Sequence, residues 1–303
     1  MLKENNTLDD AINTYYDTHK FRTLKPLSQK HYMAWHRASS KTKISDKYLG
    51  EHKLKNIGSK QLNDAYEKWL LKGIRTANQR YRSLSVVFTY CRKQEVIPSN
   101  PMGLVDMIPD AERDVRWTQQ QIQTYLEVGY SEYKWRSLAL MGHLCARTGQ
   151  RLGDMRELQW SNINFETKTM HLIQSKTQVP VTLPLRDSLL DILKQQQETF
   201  REESPYVCVR PLPIRNQTHS HYRSEEVSKL IKPIYKKGNL PPHLLLRDLR
   251  RTLITRAVEA GVDIVSLTQV TGHKNITSLR PYIQNTLAGA TSVLDKVDAL
   301  DGE

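Results

Sequence analysis

The sequence predicts a mainly α-helical protein with a small antiparallel β-sheet, divided into two domains. Apolar residues recur at helical spacing behind capping residues along most of the 303-residue chain, and alternation with a period of two is confined to one stretch. Two prolines and a glycine interrupt the helical pattern at residues 97–103 and a charged run follows at residues 110–114, and we expect a linker there. The expected domains are residues 1–105 and 112–303.

The N-terminal domain is predicted to hold four helices. Thr7 and Ser59 precede amphipathic stretches and can cap the helices that follow them. The four helices cover residues 8–20, 27–39, 58–71 and 76–95. Aromatic side chains at helical spacing are typical of a bundle core rather than of a platform that stacks on bases, and here they are Tyr15, Tyr16, Trp35, Tyr66 and Trp69.

The second domain is also predicted to be mainly helical. One helix starts behind Thr118, and an arginine-dense helix is followed by an amphipathic helix that Gly272 closes. Further helices cover residues 133–148, 152–158, 186–200 and 224–237. The small antiparallel sheet is expected where three segments alternate with a period of two, at residues 162–165, 169–174 and 179–184.

The charge balance favours an acidic partner. The chain has 45 Lys and Arg residues against 32 Asp and Glu residues, a net charge of +13, and such a surface attracts polyanions. No apolar run approaches the ~18 residues of a membrane span, and the N-terminus lacks the apolar centre of a signal peptide. Three distant cysteines without C-x-x-C spacing argue against disulfides and a cysteine zinc site. We therefore expect a cytoplasmic protein of a reducing compartment that does not contact membranes.

Four short motifs carry most of the polar chemistry of the second domain. Residues 146–160 place Arg151 at a helix start after a glycine bend with Asp154 one turn along, and the simpler interpretation is a surface ion pair. A predicted hairpin carries Lys176 near its tip. An arginine-dense segment starts at Arg247, and a Gly-His-Lys turn precedes Tyr282. Taken singly, each is more often an ordinary structural feature.

In this order and spacing, the motifs resemble those of the tyrosine recombinases, the phage lambda integrase family. The matching stretches are T-G-Q-R-L-G-D-M-R-E-L-Q-W, S-K-T-Q-V-P-V-T-L-P-L, R-D-L-R-R-T and T-G-H-K-N-x6-Y. The resemblance covers nearly all of residues 112–285. It implies a tyrosine-recombinase catalytic domain over 112–303, and the N-terminal helices are similar to the family's core-binding domain, which binds DNA.

The resemblance also implies a set of site residues. It includes two arginines that clamp the phosphate, a hairpin lysine, an acidic support for the first arginine, a histidine and a nucleophilic tyrosine. In this sequence they are Arg151 and Arg250, Lys176, Asp154, His273 and Tyr282. Arginine forks suit phosphate because they bind it bidentately and stay charged, while a lysine can also give its proton to a leaving alkoxide, so Lys176 could be the general acid.

Arg247 departs from the family's pattern, because histidine is usual at this position. A guanidinium can donate to phosphate, but it cannot accept the tyrosine proton at neutral pH. One alternative is that His243 is the base, although its simpler interpretation is a helix-entry residue. The other is that no base is needed, because the nearby cationic groups alone favour loss of the tyrosine proton. We predict that Arg247→His retains strand cleavage, and total loss of cleavage in a folded variant would contradict this alignment.

The sequence thus predicts a site-specific DNA recombinase, an integrase of a phage or another mobile element, that breaks and rejoins double-stranded DNA through a 3′-phosphotyrosine. No cofactor or metal is expected, because the phosphotyrosine bond conserves the energy of the broken bond. Four histidines are candidate zinc ligands, and none has the spacing of a zinc site: His143, His171, His219 and His221. The alternatives are a type IB topoisomerase-like enzyme and a DNA-binding regulator that has lost catalysis.

The resemblance implies a homo-oligomer, a tetramer on DNA, in a bacterial host, with accessory DNA-bending or excision factors as further partners. An additional arm-binding domain is not expected, because the first helix begins near residue 8. The segment after Tyr282 resembles the family's C-terminal tail, which docks on a neighbouring protomer. Its apolar residues are Leu287, Val293, Leu294, Val297 and Leu300. Contacts to backbone phosphates are expected from basic N-terminal residues, namely Lys25, Lys30, Arg37, Lys41, Lys43, Arg75, Arg80 and Arg82.

Overall fold

The structure is a computed structural model that describes residues 2–200, 204–210, 221–282 and 298. The chain separates into two compact units, Met1–Arg113 and Asp114–Glu303. Both units are mainly helical and their sheets are small and antiparallel, which confirms the predicted fold class. The five apolar residues predicted to form a docking tail after Tyr282 lie outside the described residues, and so does His219.

The N-terminal unit consists of helices α1 to α5 and a short hairpin that the sequence did not predict. The helices are α1 (Leu8–Tyr16), α2 (His19–Arg22), α3 (Pro26–Ser40), α4 (Ser59–Leu70) and α5 (Ile74–Lys93), and the hairpin strands are β1 (Lys43–Ile44) and β2 (Lys47–Tyr48). The single helix predicted over residues 8–20 is two helices. Thr18 divides it, because its backbone is extended and its Oγ1 accepts a hydrogen bond from the Phe21 N–H, which starts α2.

Aromatic side chains form much of the N-terminal core. Tyr15, Tyr66 and Trp69 are at most 2% exposed. Tyr16 and Trp35 are only half-buried. The prediction of an aromatic core is therefore correct for three of these five residues and partly correct for the other two.

The structure differs from the sequence prediction at Arg80. This side chain is buried, and its guanidinium lies 5.9 Å from the ring centroid of Trp69, so it packs on the core and is not one of the exposed basic residues.

The first part of the expected linker, residues 97–103, belongs to this core. Ile97, Met102 and Val105 are buried in the N-terminal cluster, and the Asn100 amide donates to the Ser85 carbonyl at 3.0 Å. The prolines shape a tight turn, while the apolar side chains on either side of them are stabilised by leaving water. Residues 106–118 have neither helix nor strand, and the boundary between the two units falls within them.

The C-terminal unit combines helices α6 to α13 with a three-stranded antiparallel sheet. The helices are α6 (Gln119–Tyr130), α7 (Arg136–Thr148), α8 (Leu152–Arg156), α9 (Asp187–Phe200), α10 (Ser224–Leu230), α11 (Lys232–Lys237), α12 (Asp248–Glu259) and α13 (Ile264–Thr271). The strands are β3 (Ile163–Asn164), β4 (Thr169–Ile173) and β5 (Pro180–Pro184), in the order β3-β4-β5. The helix predicted over residues 224–237 breaks in two, because Pro233 has no N–H to continue the hydrogen bonds of α10.

The β4–β5 hairpin and the C-terminal helices position the site. Met170 and Leu172 of β4 are buried with Val181 and Leu183 of β5, which fixes the hairpin on the core. After α13, the chain forms a 3₁₀ segment over Ile276–Tyr282. Within the described ranges, no helix is long and apolar enough to cross a bilayer.

Candidate active site

The end of α7 and the start of α8 place Arg151. Gly149 ends α7 in the left-handed conformation, with φ at +66°, which favours glycine because a side chain there is strained. Arg151 then precedes α8 and is half-buried. Its Nη1 donates to the side-chain oxygen of Gln174, at the end of the neighbouring hairpin strand.

Arg250 on α12 is buried and connects the ends of two helices. Its side chain is 7% exposed. Nη1 donates to the carbonyl of Gly149 at 2.9 Å and Nη2 to the carbonyl of Thr271 at 2.7 Å. Burial and the nearby Arg151 lower the pKa of Arg250 to about 10. The guanidinium therefore remains a cation at neutral pH.

His273 lies beside Arg250 as a neutral imidazole. Its pKa is lowered to about 4 by burial and by Arg250 and Arg151. The ring nitrogen Nε2 lies 3.2 Å from Nη2 of Arg250, and Nδ1 lies 2.7 Å from the hydroxyl of Thr271. Because a guanidinium can only donate, Nε2 is the acceptor and Nδ1 carries the proton. The Thr271 hydroxyl is free to accept this bond, since it donates its own proton to the Leu267 carbonyl.

Tyr282 lies close to these groups. Its ring centroid is 6.5 Å from that of His273, and the Arg251 guanidinium lies 4.9 Å from the Tyr282 ring centroid. The phenol also interacts electrostatically with Arg250. The ring contacts the small apolar cluster that contains Leu279, but the residue is only half-buried. The phenol ring thus lies beside cationic groups, on a residue that is not fully buried.

Asp154 supports the hairpin, which differs from the predicted contact with Arg151. Its Oδ1 accepts hydrogen bonds from the backbone N–H of Ser175 at 2.9 Å and from the Ser175 hydroxyl at 2.7 Å. The carboxylate is 7% exposed. Since Ser175 directly precedes Lys176, Asp154 holds the hairpin turn that carries the lysine.

Lys176 and Arg247 are exposed at the edge of the site. Lys176 lies in the turn between β4 and β5, and Arg247 precedes α12, three residues before the buried Arg250. His243, the alternative base, is also exposed in the segment leading to α12. The structure thus brings Arg151, Arg250 and His273 together with Tyr282, while the other two cations are at the border of this cluster.

The sequence prediction missed two buried glutamines, Gln150 and Gln174, both 0% exposed. Gln174 continues the inward register of β4 after Met170 and Leu172, so a polar residue at a buried position was a signal that could have identified it. In the described part of the chain, no group of three or more His, Cys, Asp or Glu side chains could hold a metal ion.

The arrangement suits an anionic group that gains negative charge. Arg151 and Arg250 repel each other, and this repulsion adds to the larger effect of burial in lowering the pKa of Arg250. A phosphate between them would relieve this repulsion, and a phosphoryl transition state, with more charge on its oxygens, would relieve it further. The fold therefore sets donors in place before any substrate binds.

Comparison with known proteins identifies the family to which the chain is similar. The model of the phage integrase family matches residues 116–288. The tyrosine recombinase XerC-like protein of Caldanaerobacter subterraneus subsp. tengcongensis is 24% identical, with 89% of this chain and 77% of that protein covered. The integrase of Enterobacteria phage 434 is 25% identical, with 91% and 75% covered.

Two solved structures have the same fold. The Tn1549 transposon integrase in complex with transposon right end DNA superimposes with a TM-score of 0.78 at 18% identity, over 96% of this chain and 99% of that one. The lambda integrase tetramer bound to a Holliday junction gives a TM-score of 0.73 at 20% identity, over 93% and 78%. Because the family match extends over more than half of the sequence, the chain belongs to the phage integrase family and is a tyrosine recombinase.

Proposed function

We propose that the enzyme recombines specific DNA sites by using Tyr282 as the nucleophile, Arg151 and Arg250 as the phosphate-binding groups and His273 as the residue that orients Arg250. The observation that carries this proposal is the convergence of these four side chains, from the start of α8, from α12 and from the segment after α13, into one cationic cluster. The family match does not favour a regulator without catalysis or a topoisomerase.

The cleavage step balances without a nucleotide cofactor. The Tyr282 oxygen attacks phosphorus, the phenolic proton passes to water at the half-exposed side of the ring, and the bond from phosphorus to the 5′ oxygen breaks. Lys176 donates a proton to the leaving oxygen, which gives a 5′-hydroxyl and a 3′-phosphotyrosine. Attack of another strand's 5′-hydroxyl on the phosphotyrosine reverses these changes and rejoins the DNA.

The guanidiniums stabilise the charge that develops on the phosphate oxygens. Neutral His273 supports this by orienting the Arg250 guanidinium, since its Nε2 accepts from Arg250 and its pKa is about 4. Arg247, at the exposed start of α12, contributes a donor to the phosphate backbone and takes no part in removing the phenolic proton.

The partner in this proposal is double-stranded DNA, and the active form is a homo-tetramer. The net charge of +13 supports binding of a polyanion. The solved lambda integrase tetramer on a Holliday junction supports the assembly. The N-terminal unit is proposed to bind core DNA through its exposed basic side chains. The proposed location is the cytoplasm of a bacterial host. Accessory DNA-bending or excision factors are further candidate partners.

Trapping on nicked suicide duplexes from the DNA that flanks the gene tests the proposal. Loss of a short 5′ fragment after cleavage leaves the protein covalently bound, and denaturing gels then detect the adduct. We expect an adduct with the wild type and none with Tyr282→Phe, while the gel-shift affinity of both proteins is equal. Tyr133→Phe is the matched control, because Tyr133 is 56% exposed and lies on the 3₁₀ turn before α7.

Two results would contradict the proposal. An adduct that persists in Tyr282→Phe would assign the nucleophile to another residue. A wild type that shifts these duplexes without forming any adduct would support a regulator. A recombination assay with two differently marked duplexes separates strand exchange from simple relaxation.

A further inference from the structure

Two buried amides connect the separate parts of the active site. Gln150 lies between the Gly149 turn and Arg151, and Gln174 ends the inward face of β4. Both side chains are 0% exposed. Buried polar groups are costly unless they are hydrogen-bonded, so their partners indicate what they hold in place.

The Gln174 amide uses its full hydrogen-bonding capacity on the site. Its oxygen accepts from Nη1 of Arg151 and from the Thr177 hydroxyl, the latter at 2.7 Å. Its nitrogen donates to the Gln150 side-chain oxygen at 2.7 Å and to the Thr271 carbonyl at 2.8 Å. An amide offers two acceptor positions and two donors, and all four are filled.

Gln150 extends the connection to the end of α13. Its side-chain nitrogen donates to the carbonyl of Val270 at 2.7 Å and to that of Thr148 at 3.1 Å. The Gln174 amide also lies directly against Gly272, where an added Cβ would be 2.5 Å from it. The two amides thus hold Arg151 and the backbone that precedes His273 in one network.

The Thr271 carbonyl is the point where both arginines are linked. It accepts from Gln174, which holds Arg151, and from Nη2 of Arg250. A shift of the hairpin at Gln174 would therefore change the separation of the two guanidiniums. The same hairpin carries Lys176 two residues later.

We propose that Gln174, supported by Gln150, is a positioning residue that sets the Arg151 guanidinium relative to Arg250 and His273 for phosphate attack. This inference rests on the proposed function. It assigns to the amide pair an effect on the cleavage rate, not on the affinity for DNA, because neither side chain reaches the surface.

A carboxylate at position 174 separates this role from a merely structural one. Gln174→Glu keeps the size and shape of the side chain. The ionised carboxylate has no proton to donate, so it cannot form hydrogen bonds to the two acceptors that the amide nitrogen faces, the Gln150 oxygen and the Thr271 carbonyl. It also pairs with Arg151 and competes with the phosphate. Protonation at lower pH removes the charge and restores one donor, so the defect should shrink as the pH falls.

The experiment measures single-turnover adduct formation on a suicide duplex at saturating enzyme, from pH 8 to pH 5, with the full-length chain. We expect Gln174→Glu to be about 100-fold slower than the wild type at pH 8, the scale of a misplaced catalytic group. The DNA dissociation constant should change less than about threefold, and the rate ratio to the wild type should rise towards pH 5. Gln178→Glu is the matched control on the same hairpin, where the exposed amide bonds only to the Ser175 carbonyl among the contacts found, and its rate should change less than about twofold.

The outcomes are distinct. A rate equal to that of Gln178→Glu, or a slow rate whose ratio to the wild type does not change with pH, overturns the positioning role. If Gln174→Glu does not fold, Gln150→Met tests the same network one step from Arg151, and a wild-type cleavage rate in that variant overturns the inference. If the wild type itself forms no Tyr282-dependent adduct, the proposed function fails first, and this inference with it.

Discussion

Replacing Arg250 by lysine should destabilise the protein as well as slow cleavage. The guanidinium joins the carbonyls at the ends of α7 and α13, at 2.9 and 2.7 Å, and is 7% exposed. Helix C-termini carry partial negative charge, so a cation between them is favourable. A lysine ammonium keeps the charge, but it cannot reach both carbonyls, since it lacks the planar fork.

The expected loss of stability follows from the one hydrogen bond to a helix-end carbonyl that a lysine cannot make. A hydrogen bond from a charged donor contributes about 2 kcal/mol net, so Arg250→Lys should lower the free energy of unfolding by about 2 kcal/mol. For a unit of this size, that lowers the Tm by about 4–8 °C. Urea unfolding followed by circular dichroism, with a thermal scan as a second measurement, checks both values.

Arg247→Lys is the matched control, because the same substitution is made three residues earlier at an exposed position. Its free energy of unfolding should stay within about 0.5 kcal/mol of the wild type. If Arg250→Lys unfolds at the same urea concentration as Arg247→Lys, Arg250 does not connect the two helix ends energetically. The buried contacts described for it would then have no consequence for stability.

Three further predictions concern pH, the hairpin and the glycine turn. Burial lowers the pKa of His143 to about 4 from an unfolded value near 6.5. Below pH 6.5 the unfolded state takes up a proton that the folded state does not, so the free energy of unfolding is unaffected above pH 6.5 and decreases as the pH falls towards 4. In urea titrations from pH 7 to pH 4.5, His143→Leu should lose less stability with falling pH than the wild type; equal losses would refute this. Asp154→Asn should form the adduct about tenfold more slowly with unchanged DNA affinity, because the hairpin that carries the general acid loses a charged acceptor; a wild-type rate would refute it. Gly272→Ala should cost about 2 kcal/mol, more than Gly261→Ala, since both have φ near +70° but only the first added Cβ meets a neighbour; equal melting temperatures of the two variants would exclude the close contact.

Short-range signals carried much of the fold prediction. Caps such as Thr7 and Thr118, and the alternation around Met170 and Leu172, predicted helices and strands that the structure contains. The errors have local physical causes. Thr18 starts a new helix inside a continuous apolar pattern, and Pro233 breaks one. The start of the linker was placed too early, because prolines signal a turn but do not reveal whether the turn is packed on a core.

The motifs identified which residues form the site, but they did not predict which of these residues contact each other. Tyr282, Arg151 and Arg250 were found because their residue types and order are distinctive. Their pairings depend on distances that no spacing rule gives. Asp154 binds Ser175 instead of Arg151, and Arg247 remains exposed while Arg250, three residues later, is buried. These site residues remain predictions until cleavage is measured.

The sequence by itself determined the helical class, the small sheet, the family and the set of charged groups available for phosphate chemistry, because each of these is written in residues close together along the chain. Only the tertiary structure decided how those groups meet. Arg250 bonds to a carbonyl 101 positions away, and Gln174 to one 97 positions away. Such contacts depend on how the helices and the hairpin pack on a common core, and a buried amide that bridges them has no signature in its neighbouring residues.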